Sequence, residues 1–165
     1  MTASRKLLAI TIASVVAVAL VPAVAWAAGT NSGNSQGHTV VHVVEHAVTD
    51  TVQQFHAPAN SLGDVLAFHN PVYNSANTRP AGTDNGYCIR TVATGKTEWE
   101  CSWTTLLAKG SLTVQGPYFD DGTDTTLTIT GGTGNYTGAQ GSMLLHATGS
   151  PVGSEYDFVF SLTGH

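Results

Sequence analysis

Beyond residue 37 the chain alternates apolar and polar residues with a period of two, the spacing of strands buried on one face. From His38 to Val48, Val41, Val43, Glu45 and Ala47 share one face and His42, Val44 and His46 the other. Val65 to His69 reads as a strand ended by Asn70-Pro71, and Gln53 to Asn60 as a loop. Tyr73 to Gly86, rich in Asn, Pro, Gly and Thr, predicts a long surface connection. Strand-like runs around Cys88 and Cys101 flank a turn at Ala93 to Thr97. Leu112, Val114 and Tyr118 share a face, with Gly116-Pro117 as a break. Leu127 and Ile129 alternate with threonines, Met143 to Thr148 forms another strand, and Tyr156, Phe158, Phe160 and Leu162 give a last strand with a bulky apolar stripe. Seven or eight strands and no convincing 3.6-residue period predict an all-β domain, either a sandwich or an antiparallel barrel.

The connection from Leu127 to Met143 carries five glycines, at 131, 132, 134, 138 and 141, where positive φ or close chain approach costs least. A glycine-rich stretch after a strand invites a nucleotide-binding reading. Thr137 stands where the third glycine of a dinucleotide fingerprint belongs, a strand pattern follows where a helix should open, and the lysine of a phosphate loop is missing. The stretch is read as a shaped link between strands.

Arg5 and Lys6 precede an apolar run to about Val24, and Ala25-Trp26-Ala27 supplies a small-residue cleavage site. Residues 1–27 therefore read as a secretory leader, the rival being a retained membrane anchor that the cleavage site and the polar stretch Gly29 to Gly37 disfavour; 28–37 reads as a flexible linker and 38–165 as one domain, secreted and without a membrane contact once the leader is removed. That part keeps four basic and 11 acidic residues, a formal charge of 4 − 11 = −7, which disfavours nucleic acid and anionic membranes as partners.

Two cysteines in an exported chain predict a disulfide. A hairpin centred on Ala93 to Thr97 pairs residues whose numbers sum to 189, as 88 and 101 do, so the two sulfurs face each other. His38, His42 and His46 look like a metal set, but on a strand residues four apart are separated by ~13 Å, too far to share one ion. Glu45 is the most informative residue. A glutamate facing Val41, Val43 and Ala47 pays for desolvation unless it is paired, protonated or matched to a developing cation; the bland alternative is a glutamate at a wet barrel mouth.

Several motifs in sequence order are similar to those of the allene oxide cyclase family and, more distantly, the dirigent proteins. They are Asn60 to Asp64 (NSLGD), Phe68-x-Asn70-x-x-Tyr73, Gly86-x-Cys88, Val114 to Tyr118 (VQGPY) and Thr130 to Gly141 (TGGTGNYTGAQG). The resemblance implies an eight-stranded antiparallel β-barrel with an apolar lumen, a homotrimer, and cyclisation of an epoxide without metal or organic cofactor. Under it Glu45 corresponds to the family's lumen glutamate, Asn70 to its epoxide-side asparagine, and Cys88 and Tyr118 to its lumen wall; Glu45, Asn70 and Tyr118 are the catalytic candidates, and Val43, Ala47, Phe68 and Cys88 the substrate-binding ones. Ala47 departs from the family, which carries a second asparagine there, and the loop after it lacks the family's Ser-Pro.

Two functions are expected to compete. One is a cofactor-free cyclase or isomerase acting on a small apolar epoxide, polyene or polyketide-like molecule. The other is a dirigent-like or lipocalin-like binding protein. A structural β-domain with a self-filled lumen is a blander third.

Overall fold

Inward-facing residues recur at every second position of eight strands, and the strands close on themselves to cover them. A computed structural model describes residues 38–163; the segments read as a leader (1–27) and a linker (28–37) lie outside these. The strands are β1 Thr39–His46, β2 Thr51–Gln53, β3 Val65–Asn74, β4 Pro80–Val92, β5 Glu98–Leu107, β6 Gly110–Phe119, β7 Thr125–Gly132, β8 Gln140–Thr148 and β9 Glu155–Thr163. From β3 to β9 each pairs antiparallel with the next, and β1 lies between β9 and β3 (Glu45 opposite Tyr156 and Val72), completing an eight-stranded antiparallel barrel. Closure leaves one strand outside, the short β2 along the first half of β3. Its last residue, Gln53, is the first of the stretch read as a loop.

One end of the lumen is packed solid. Phe160, Leu162, Leu112, Val114, Met143 and Ile129 are almost fully buried there, each contributing roughly 1.5–3 kcal/mol by leaving water. The other end gathers the last residues of β1, β4, β6 and β8 with the first of β3, β5, β7 and β9, and it is hollow.

The cysteine hairpin has the expected register: Gly86 faces Trp103, Cys88 faces Cys101 and Arg90 faces Trp99. Cys88 and Cys101 form a disulfide. Gly86 is required by packing, since a Cβ there would overlap the Trp103 Cβ and come within 2.7 Å of the Ser102 carbonyl oxygen.

Three predicted interruptions of strands are corrected. Asn70-Pro71 does not end β3, which runs on to Asn74. The His69 N–H donates sideways to Thr49 Oγ1 at 2.7 Å, so the Pro71 nitrogen, two residues on, faces the same side. It lies in the gap between the β2 pairing, which ends at Ala67, and the β1 pairing, which begins at Val72. No ladder bond is lost there. Tyr73 to Gly86 is not a long connection: only residues 75–79 turn, held by Asn74 Oδ1, which accepts from the Thr78 and Arg79 N–H groups. Gly116-Pro117 does not break β6, because β7 pairs with β6 only as far as Gln115.

The glycine-rich link folds as one 3-10 turn, Gly134–Tyr136, and leads into a strand, so no helix N-terminus is available for phosphate. Gly134, Gly138 and Gly141 have positive φ, and Gly132 lies against Tyr136. Gly131 meets neither expectation, having open space around it and no positive φ. β8 begins at Gln140, earlier than Met143.

Replacing both cysteines with serine should lower the unfolding free energy by about 3 kcal/mol, the loop-closure value for a bridge of this span. Urea titration of both proteins measures it. A loss well under 1 kcal/mol would mean that the β4–β5 ladder already restrains the unfolded loop.

Candidate functional site

The hollow end is a cavity open to solvent, with about 380 Å³ of empty space when the solvent in its mouth is included. Its wall is made by Leu66 and Phe68 from β3, Cys88 and Cys101 from the disulfide, and Trp103, Tyr118, Leu145, Tyr156 and Phe158 from β5, β6, β8 and β9. Glu45 from β1 and Asp50 from the chain after it are its two carboxyl groups. The rings brace one another: Trp103 lies 5.5 Å from Phe158 and 6.1 Å from Phe68, centroid to centroid.

Glu45 is only 4% exposed. Its Oε1 accepts a hydrogen bond from Asn70 Nδ2 at 2.6 Å. The same amide nitrogen donates to Asp50 Oδ1 at 2.7 Å. Asn70 Oδ1 in turn accepts from the Val48 and Thr49 N–H groups and from Thr49 Oγ1, at 2.9–3.1 Å. Both amide protons and the carbonyl oxygen are thus committed within the protein, and nothing of the carboxamide is left for a ligand. Asn70 positions Glu45 and folds residues 48–50 over the mouth.

Burial, the largest cause, and the neighbouring Asp50 charge push the Glu45 carboxyl up to about 7, against the lowering effect of the Asn70 bond. A third carboxyl, Asp84, is fully buried and raised well above the ordinary range, first by burial and then by Glu45. Its Oδ1 accepts from Thr105 Oγ1 at 2.8 Å, while Oδ2 has no partner. Across the lumen the Tyr118 and Tyr156 hydroxyls are 2.8 Å apart, and burial raises the pKa of both phenols. One hydroxyl of the pair donates to the other, which keeps its own proton free. The Trp103 indole N–H is buried without a partner.

The structure places Glu45, Tyr118, Phe68 and Cys88 on one cavity wall, with Asn70 behind Glu45. Cys88 is at once a wall residue and disulfide-bonded, so no free thiol faces the lumen. Val43 and Ala47 do not line the cavity. Val43 points inward one step deeper, paired with Phe158 in the packed core. Ala47 follows the end of β1, and its N–H is tied to the Ser154 carbonyl at 3.1 Å. Of the histidines, His42 Nε2 meets Asp157 at 2.7 Å and His46 stacks on Tyr73, both outside the lumen.

Asp50, Asp84, Trp103 and Tyr156 were not among the candidates. Two of them were within reach, because the register sum of 189 that pairs the cysteines also sets Asp84 opposite Thr105 and Gly86 opposite Trp103. The strand had only to be carried back through Gly86. Tyr156 lies on a recognised strand face, but nothing in its spacing marks its hydroxyl for Tyr118. Asp50 carries no periodic signal at all.

Residues 41–164 match the allene oxide cyclase family. Among solved structures, a pyocyanin demethylase is 21% identical, with 74% of this chain and 100% of that one covered at a TM-score of 0.63. A pterocarpan synthase dirigent protein is 15% identical over 92% and 100% of the two chains, with a TM-score of 0.63. A Diels-Alderase from Streptomyces koyangensis is 15% identical over 78% and 64%, with a TM-score of 0.60. At these identities the likeness is one of fold.

A glutamate whose folded pKa is raised makes the native state bind its proton between about 4.5 and 7, where the unfolded chain has lost it. Its contribution therefore lowers stability as pH rises through that window, by on the order of 3 kcal/mol. Glu45→Gln should unfold at higher urea than wild type at pH 8, and the two should converge near pH 4.5. A constant difference across that range would place the shift elsewhere.

Proposed function

The chain belongs to the allene oxide cyclase family, and from that premise we propose that it is a cofactor-independent cyclase or isomerase acting on a small apolar-bodied substrate held in the barrel lumen. The observation that carries this reading is the placement of Glu45: a carboxyl 4% exposed, fixed by Asn70, on the wall of a cavity made chiefly of aromatic and aliphatic side chains.

In the reaction class envisaged, a C–O bond of an epoxide opens, positive charge spreads along a chain of sp² carbons, and a new C–C bond closes the ring. Nothing is added or lost. The protein supplies two things. Confinement between Phe68, Trp103, Tyr156 and Phe158 selects one folded conformer before bond formation, which sets the hand of the ring. The Glu45 carboxylate, held in a poorly hydrated site, stabilises the positive charge as it develops. The opposing oxygen would take its hydrogen bond from the Trp103 N–H or the free proton of the Tyr118–Tyr156 pair, since Asn70 has no proton to give.

A dirigent-like or lipocalin-like carrier is the second reading. It is favoured by Ala47, which brings no polar side chain to the mouth, and by the full commitment of Asn70. The leader-like residues before 28 and the disulfide support an extracellular setting in either case. The homotrimer rests on the family resemblance.

Freshly generated fatty-acid allene epoxide, supplied as free acid and as methyl ester, tests the reading by chiral analysis of the cyclopentenone. Enrichment of one enantiomer is expected with at least one form, with the rate over the blank falling about 100-fold in Glu45→Gln. Racemic product matching the blank in both forms would remove this ring closure. A ligand recovered unchanged from the lumen would then favour the carrier.

A further inference from the structure

The cavity wall divides into two chemistries. Five rings, Phe68, Trp103, Tyr118, Tyr156 and Phe158, make up much of it, and its only ionisable carboxyls are Glu45 and Asp50. Among the described residues no lysine, arginine or histidine lines it. Arg90 comes from the same end of β4, yet its guanidinium lies over the Trp99 ring at 4.0 Å, and its Nη2 is 2.9 Å from Asp120 Oδ2. Its Nε and Nη1 have no partner, and it is not among the side chains that line the cavity. Ring faces carry negative potential and attract cations, and the carboxyl side adds to the same field. A ligand carboxylate in this space would lose its hydration and meet no counter-charge.

We propose that the lumen takes a planar organic cation, an apolar ring system carrying a delocalised positive charge, in preference to neutral or carboxylate ligands of the same shape. This rests on the lumen being the ligand site and adds the charge and shape of the ligand. Trp103, 4% exposed, is one of the wall rings, and its indole N–H has no partner in the protein.

The groups facing Glu45 from the surrounding elements are Asp50 from the mouth segment, Asn70 from β3, Asp84 from β4, Tyr118 from β6 and Tyr156 from β9. None brings a positive charge. A bound cation is therefore the partner that favours the charged form of Glu45, and its affinity rises with pH through about 7.

Calorimetric titration of the mature protein at pH 8 with 10-methylacridinium, acridine and acridine-9-carboxylate separates charge from shape. The cation should bind at least about tenfold more tightly than acridine, and the carboxylate should bind most weakly. The cation-over-neutral ratio should fall about tenfold in Glu45→Gln, and cation affinity should fall between pH 8 and pH 5 in the wild type. Acridine binding as tightly as the cation, or the carboxylate binding best, would overturn the charge preference while leaving the lumen as a ligand site. Absence of binding by all three would overturn the preference for a planar cation, while the epoxide experiment decides the proposed function separately.

Discussion

The carboxamide of Asn70 is the joint on which the open end of the barrel depends. Its nitrogen gives one proton to Glu45 and one to Asp50, and its oxygen gathers three donors from Val48 and Thr49. These bonds run from β3 across to β1 and to the segment that leaves it. Two acidic groups that would repel each other are thereby held on one neutral donor. The arrangement stabilises neither carboxylate fully, since a neutral amide cannot offset the loss of water around a buried charge. The protein accordingly carries Glu45 near the boundary between its acid and its base.

The rest of the barrel makes that placement tolerable. Phe160, Leu162, Leu112, Met143 and Ile129 fill the far end to near completeness, so the fold does not rely on the lumen's open half for its core. The wall around the cavity is stiffened by other means: a disulfide between facing strands, a glycine at residue 86 that lets Trp103 lie close to β4, and an Arg90–Asp120–Trp99 cluster at the rim, where Trp99 Nε1 also donates to Asp120 at 2.5 Å. A rigid hollow is what conformer selection needs, because a wall that collapsed onto itself would have no shape to impose.

Much of this was legible in the chain. Period-two patterning gave the strands, and the family motifs gave the closed barrel that patterning alone could not separate from a sandwich. The cysteine register followed from arithmetic on one turn. The failures share a cause. Pro71 and Pro117 read as strand ends because a proline removes a ladder donor, but each sits where its strand has no partner on one side, and only the closed topology reveals that. The same closure brings Asp84 and Trp103 beside Glu45. Asp50 comes from a segment with no pattern, placed by the side chain of a residue 20 positions away.

Glu45 is a desolvated carboxyl on the cavity wall, held by a neutral donor and titrating near neutrality. Carbon-13 NMR of the glutamate side-chain carboxyls, with Glu45 assigned by its loss in Glu45→Gln, follows that titration directly. A midpoint at about 7 is expected. A midpoint at the ordinary 4.5 would mean that Glu45 is hydrated at an open mouth, and its role in the lumen would fall with it.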